Sequence, residues 1–255
     1  MGIWTGDRNK SSGPDMAQGD YTMKRIGLIS PNFSEGTLVD VYKILPEGIH
    51  IEGRNLDVAR YIDSEFHRVE QTFADVAREL TRQPLDFLMI TGELFLSYKG
   101  PGSDRQILAL VREITSVPAS TVLTAVVHAC QALNMRSVVM ASPFPEDQDL
   151  RLSRFLAHDK IEVAAHRCLG YNNSKVIWEL SPETGYELVS SLLRENPGVD
   201  GVYMPCNKWR ITSVIERIEK DFGKPVVTNT QAWVLEALRG MGMAQPIPGF
   251  GRLLK

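Results

Sequence analysis

Cysteine is scarce in this 255-residue chain, and neither sign of charge is in marked excess. Cys130, Cys168 and Cys206 are too scattered for a disulfide framework or a paired zinc motif, which favours a reducing, cytoplasmic setting. With 28 basic and 31 acidic residues, the net charge of -3 predicts no basic surface that would neutralise phosphates. We therefore expect no nucleic-acid partner.

Long apolar runs are also missing. The uncharged stretch at 114–135 contains Pro118, His128 and Asn134, so it is interpreted as a strand followed by a helix rather than a membrane span. Residues 1–23 are rich in Gly, Ser, Asp and Lys and lack the apolar segment of a signal peptide. They are interpreted as a flexible leader, and no membrane partner is expected.

Patterns that bind metals or phosphorylated cofactors are absent too. The segment Lys-Gly-Pro-Gly at 99–102 lacks both the glycine spacing and the final Lys-Ser/Thr of a phosphate-binding loop. No dinucleotide-binding glycine pattern occurs either. The histidines show no spacing typical of metal ligands or of a catalytic triad. We expect neither a metal nor an organic cofactor.

Short apolar runs alternate with longer amphipathic stretches, a pattern typical of an α/β fold with a mostly parallel sheet. Strands are predicted at 25–30, 48–55, 87–91, 119–123, 137–141, 161–165, 201–204 and 225–228. Helices are predicted at 63–81, 104–115, 124–133, 146–158, 181–196, 209–222 and 230–241.

The two halves of the chain resemble each other in outline, because strands 25–30 and 137–141 each lead into a proline-containing loop. A duplicated α/β unit is therefore predicted, with residues 24–118 plus 225–255 as one lobe and 119–224 as the other. Ligands of open parallel sheets bind outside the carboxyl ends of the strands. We expect loops 31–36, 92–100, 142–147 and 205–210 to converge on a cleft between the lobes.

Cys206 follows a predicted strand and precedes the helix predicted from Trp209. A helix N-terminus lowers a thiol's pKa, which would make Cys206 a usable proton donor or nucleophile. A small core residue is the equally weighted alternative. Cys130 and Cys168 are interpreted as structural.

Polar residues near these strand ends are further candidates. Glu93 is a candidate general acid or base, because the apolar side chains of Leu94 and Phe95 would raise its pKa. Its alternative is an ordinary carboxylate in the first turn of a helix. Arg210 is a candidate partner for a substrate carboxylate, and Asn207 a candidate hydrogen-bond donor. Both equally fit a solvated helix start.

A family resemblance rests on segments 26–31, 92–100, 205–206, 223–227 and 248–254. With these segments the chain resembles the aspartate/glutamate racemase superfamily, and within it arylmalonate decarboxylase and maleate cis-trans isomerase. The resemblance implies two α/β lobes with the active site between them and no cofactor. Racemases and isomerases of this group use one cysteine per lobe, whereas the decarboxylase keeps only the second. Cys206 matches the second position and Gly92 the first.

The resemblance therefore favours chemistry with a single thiol. In a decarboxylase, Cys206 would protonate the enediolate left after a disubstituted malonate loses CO2. The chain departs from the decarboxylase where Glu93 and Leu94 replace hydroxyl residues and Phe144 replaces a tyrosine. An ionised Glu93 would repel an enediolate, so either it is protonated or the substrate is not a malonate.

The hypothesis is a cofactor-independent enzyme that acts at the carbon next to a carboxylate, best matched by an arylmalonate-decarboxylase-like lyase. Its alternatives are a dicarboxylate isomerase or hydrolase that uses Glu93 with Cys206, and a non-catalytic carboxylate-binding protein. The partner is a small carboxylate or dicarboxylate, and a homo-oligomer is left open. The predicted catalytic residues are Cys206 and Glu93, and the predicted substrate-binding residues are Pro31, Asn32, Gly92, Leu94, Phe144, Asn207 and Arg210.

Overall fold

The computed structural model describes residues 23–255, so all but the last residue of the predicted leader lies outside the described part. Eight strands form there, and each coincides with a predicted strand to within a few residues. They are β1 (Lys24–Ser30), β2 (Ile49–Asn55), β3 (Phe87–Ile90), β4 (Ala119–Thr121), β5 (Ser137–Ser142), β6 (Glu162–Cys168), β7 (Gly201–Met204) and β8 (Val226–Thr228).

The strands build two four-stranded parallel sheets with the same internal order. The first sheet is β2-β1-β3-β4 and the second is β6-β5-β7-β8. Inner strands such as β3 and β7 are buried along their whole length, as expected of parallel strands covered on both faces. The predicted α/β fold with two similar lobes is confirmed.

Ten α-helices occur in the described residues, and three of them were not predicted. The helices are α1 (Glu35–Ile44), α2 (Asp63–Leu80), α3 (Glu93–Ser97), α4 (Ser103–Ile114), α5 (Val122–Ala132), α6 (Glu146–His158), α7 (Ser174–Glu179), α8 (Pro182–Glu195), α9 (Ile215–Phe222) and α10 (Asn229–Gly240). The unpredicted helices are α1, α3 and α7. The five residues of α3 are all buried, so this helix has no polar face that would produce a recognisable period.

Strand pairing differs from the predicted lobe boundaries at two places. β4 pairs with β3 in the first sheet, although residue 119 was assigned to the second lobe. β8 pairs with β7 in the second sheet, although residues 225–255 were assigned to the first lobe. Backbone hydrogen bonds to neighbouring strands decide sheet membership, and the linear sequence does not show them.

Two helices connect the lobes. α5 follows β4, α10 follows β8, and the two helices pack against each other while each contacts both β4 and β8. Equivalent threonine caps start them: Thr121 accepts a hydrogen bond from the Thr124 N–H at 3.1 Å, and Thr228 accepts one from the Gln231 N–H at 3.2 Å. The pair fixes the position of one sheet relative to the other.

None of the helices found between residues 23 and 255 combines the length and the apolar character that a membrane span requires. The carboxyl ends of β1, β3, β5 and β7 lead into the loops that line one cavity.

Candidate active site

A narrow cavity that opens to solvent lies where these loops meet. Eight of the nine predicted site residues line it: Pro31, Asn32, Gly92, Glu93, Leu94, Phe144, Cys206 and Asn207. The further lining residues are Ser30, Thr37, Tyr61, Phe66, Thr91, Phe95 and Lys208. About half of these residues are polar, but apolar and aromatic atoms make up most of the surface of the wall.

Arg210 is the predicted site residue that does not line the cavity. Its guanidinium lies 4.4 Å from the centre of the Trp178 ring, which is a cation–π contact away from the cavity wall. The cation that reaches the cavity is Lys208, two residues earlier. The loop after Cys206 turns before a helix begins, and this turn decides which side chain faces inward.

Cys206 lies in this loop, not at a helix N-terminus. A short 3-10 helix forms at Thr212–Val214, and α9 begins only at Ile215, so the helix predicted from Trp209 starts six residues late. Cys206 has a φ of 86°, a left-handed conformation that is uncommon for residues other than glycine. Strain of this kind is concentrated at functional sites.

The Cys206 thiol is protonated at neutral pH. Burial and the nearby Glu93 carboxyl raise its pKa well above the ordinary value, although the backbone N–H groups of Lys208 and Trp209 act in the opposite direction. The predicted lowering of the pKa by a helix N-terminus is therefore wrong. A protonated thiol in an apolar cavity is suited to donating a proton rather than to attacking as a thiolate.

Glu93 is the first residue of α3, and its carboxyl is buried. Burial raises its pKa from 4.5 to about 7, while the backbone N–H of Cys206 and the side chain of Asn229 partly offset the rise. The rise expected from its apolar neighbours is thus present. Near neutral pH the group is divided between a neutral acid, which donates a hydrogen bond, and an anion.

Asn229 was missed by the sequence analysis. It begins α10 directly after β8, and its Oδ1 accepts a hydrogen bond from the Tyr203 hydroxyl at 2.8 Å. This bond leaves the amide Nδ2 available to Glu93, and neither Nδ2 nor the Glu93 Oε1 has a hydrogen-bond partner among the described residues. Its place after a strand was the available signal, because the carboxyl ends of parallel strands carry ligand sites.

Tyr61 was missed as well. Its ring meets Phe144 edge to face at 5.7 Å, and burial raises the pKa of its phenol above the ordinary range. Tyr61 comes from the loop after β2, and Phe144 follows β5 in the other lobe. The two rings therefore form an aromatic wall contributed by both lobes.

Comparison with known proteins gives the family. The model of the arylmalonate decarboxylase family matches residues 26–254. The chain belongs to this family. Among curated proteins, arylmalonate decarboxylase from Bordetella bronchiseptica is 26% identical over 229 residues, which cover 89% of this chain and 95% of the relative. A maleate isomerase from Pseudomonas putida is 21% identical over 90% of this chain and 96% of the relative.

Solved structures of both enzymes share the fold. Unliganded arylmalonate decarboxylase superposes with a TM-score of 0.81 at 25% identity, covering 91% of this chain and 98% of that one. A maleate cis-trans isomerase from Nocardia farcinica, a cysteine-to-serine mutant with a covalently bound succinylcysteine, gives 0.84 at 17% identity over 91% and 98%. The similar proteins are decarboxylase and isomerase enzymes, and this member of the arylmalonate decarboxylase family is an enzyme.

Gly92 is expected to tolerate no side chain in this member of the family. Its φ is 100°, and a Cβ there would overlap the Pro31 ring. Gly92→Ala should lower the free energy of unfolding by at least about 2 kcal/mol, from left-handed strain plus overpacking. Urea unfolding measures this loss. Gly100→Ala is the matched control, because φ is 91° there but nothing lies within 4 Å, and an equal loss in both variants would contradict the overlap.

Proposed function

We propose that this protein decarboxylates a malonate bearing an apolar substituent and that Cys206 protonates the product. The supporting observation is a protonated, buried thiol in a largely apolar cavity that also holds Glu93, a carboxyl with a pKa near 7. A neutral Glu93 removes the repulsion that an ionised carboxylate would exert on an enediolate. Together these groups provide a proton for carbon and a hydrogen bond for oxygen.

The reaction balances without a cofactor. The bond between the α carbon and one carboxylate breaks, its electron pair stays on the substrate, and CO2 leaves. The resulting enediolate accepts the Cys206 proton at the α carbon, which gives the monocarboxylate product and a thiolate. The thiolate then takes a proton from water, so each turnover consumes one proton.

The apolar wall assists the first step. Leu94, Phe95 and Phe144 surround the cavity and disfavour a localised carboxylate, whereas departing CO2 is neutral. The negative charge that develops on the remaining oxygens needs donors that are already in place, and such donors are worth a few kcal/mol each. Protonated Glu93 is one of them.

Isomerisation of a small dicarboxylate is the second candidate. The proximity of Glu93 to Cys206 favours isomerisation, because the two residues place an acid and a base in the same cavity. Thiol addition to a double bond, however, requires a thiolate, and the burial of Cys206 opposes ionisation. Decarboxylation needs only the thiol, so it is the better match.

A substrate panel tests the proposal. Purified enzyme is incubated with phenylmalonate, 2-methyl-2-phenylmalonate and maleate, and CO2 and fumarate are measured. We expect CO2 from both malonates. In heavy water, each product molecule should carry one deuterium at its α carbon, in the newly formed bond. Cys206→Ala should stop CO2 release, whereas the control Cys130→Ala, in the buried core, should retain it.

Fumarate production from maleate with no CO2 from either malonate would overturn decarboxylation and support isomerisation instead. Equal CO2 release by the parent and Cys206→Ala would overturn the role of Cys206 as the proton donor. Binding of carboxylates without any turnover would indicate the non-catalytic carboxylate-binding protein.

A further inference from the structure

Lys208 lies at the boundary between the cavity and a groove outside it. It lines the cavity together with Cys206, and it also lines the groove together with residues of α1 and α7. A ligand that enters through this groove passes its ammonium group. Lys208 and Glu93 are the two charged residues of the cavity wall, and Lys208 is the cation.

The ammonium of Lys208 has a neutral partner. Its Nζ donates a hydrogen bond to Ser34 Oγ at 2.6 Å. Among the side chains that the structure describes, which do not include that of Glu35, no carboxylate oxygen lies within 4.0 Å of this Nζ. Ser34 precedes α1 in the first lobe, whereas Lys208 follows β7 in the second. The hydrogen bond therefore spans the entrance and uses one of the three N–H donors of the ammonium.

Lys208 is partly buried, and this desolvation of the ammonium lowers its pKa. The two N–H donors not used by Ser34 are free to bind a carboxylate. Charge-assisted hydrogen bonds of this kind are shorter and stronger than bonds between neutral groups. A carboxylate bound there would therefore compensate for the lost hydration of the ammonium.

We infer that Lys208 binds the carboxylate that the substrate retains. This inference rests on the proposed function and specifies its substrate class: an apolar group carrying a carboxylate at the reacting carbon. The retained carboxylate gains negative charge as the enediolate forms, so a cation beside it stabilises the transition state more than the ground state. A cation beside the departing carboxylate would oppose the reaction.

The position of Lys208 relative to Cys206 agrees with this assignment. The two residues belong to one loop and interact electrostatically. Cys206 donates its proton to the α carbon, which is bonded to the retained carboxylate, so a carboxylate on Lys208 places that carbon toward the thiol. Glu93 and Lys208 then take the place of the hydroxyl donors that the sequence lacks at positions 93 and 94.

Binding of phenylacetate, the expected product of phenylmalonate, tests the assignment without any turnover. Its dissociation constant is measured by isothermal titration calorimetry for the parent, Lys208→Met, Lys208→Gln and Lys208→Arg. The matched control is Lys175→Met, because Lys175 lines the outer groove but not the cavity. Phenylacetamide, which has the same shape without the charge, is titrated alongside.

We expect both neutral variants to bind phenylacetate at least about tenfold more weakly than the parent, from loss of a charged hydrogen bond. Lys208→Arg should retain most of the affinity, Lys175→Met should match the parent, and phenylacetamide should not distinguish the variants. Unchanged phenylacetate binding in both neutral variants, or no binding by the parent, would overturn the inference. An equal loss of phenylacetamide binding would do so too, since it would indicate lost packing.

The proposed function fails in a different way. If phenylacetate binds through Lys208 but no malonate loses CO2, the carboxylate site stands and decarboxylation does not.

Discussion

Cys206→Gly should abolish turnover and leave the protein at least as stable as the parent. The thiol is the proposed proton donor, and loss of a positioned acid lowers rates by about 10²- to 10⁴-fold. The backbone effect has the opposite sign, because the left-handed φ of 86° costs an L-residue about 1–2 kcal/mol and costs glycine almost nothing. That gain offsets the lost packing of one small side chain.

Calorimetric unfolding and CO2 release measure the two effects separately. Cys206→Ala also lacks the thiol, so it should be as inactive as Cys206→Gly. Because it keeps a Cβ in the left-handed conformation, it should be about 1 kcal/mol less stable than the glycine variant. Cys130→Ala should behave in the reverse manner, losing stability from the core while keeping its rate. Severe destabilisation of the glycine variant would show that Cys206 is a core residue and not a strained functional one.

The second large effect is a loss of stability and activity as the pH rises toward 7 and above. Glu93 ionises near 4.5 in the unfolded chain and near 7 in the folded one, so between these values only the folded state keeps the proton. Stability contributed by the neutral acid is therefore full below pH 4.5 and falls as the pH rises to about 7, by on the order of 3 kcal/mol. The rate should fall above pH 7, because the anion repels the enediolate.

Glu93→Gln removes the titration but keeps a neutral donor. Its free energy of unfolding should change less between pH 5 and pH 8 than that of the parent, and its rate should no longer fall above pH 7. Asp149→Asn is the matched control, since Asp149 is fully buried in α6 outside the cavity and burial raises its pKa to about 7 as well. That variant should flatten the stability profile and leave the rate profile unchanged; a shift of the rate profile there would contradict the role given to Glu93.

The strands could be predicted because burial on both faces leaves a direct mark on the sequence. β3 and β7 are short, almost wholly apolar runs followed by turn residues, and such runs have few other interpretations. The ends of these strands then indicated Glu93 and Cys206 through a general property of parallel sheets. Most of the cavity wall follows from this one rule.

The remainder depended on loop geometry and on contacts between distant residues. Arg210 and Lys208 are two positions apart, and only the turn taken after Cys206 decides that Lys208 faces the cavity. The amphipathic pattern continues through this loop, where Trp209 is buried without being helical, so the start of α9 was placed too early. Asn229 faces Glu93 only because β8 pairs with β7, and no local signal carries that pairing.

The contacts of α10 determine the order in which the protein can mature during synthesis. α10 packs on β3 and β4 of the first sheet, yet it is encoded after every strand of the second. A nascent chain therefore exposes apolar surface of the first sheet to chaperones and to other chains until residues 229–240 have left the ribosome. We expect a chain truncated before Asn229 to leave this surface of the first sheet uncovered and to aggregate more readily than the full chain.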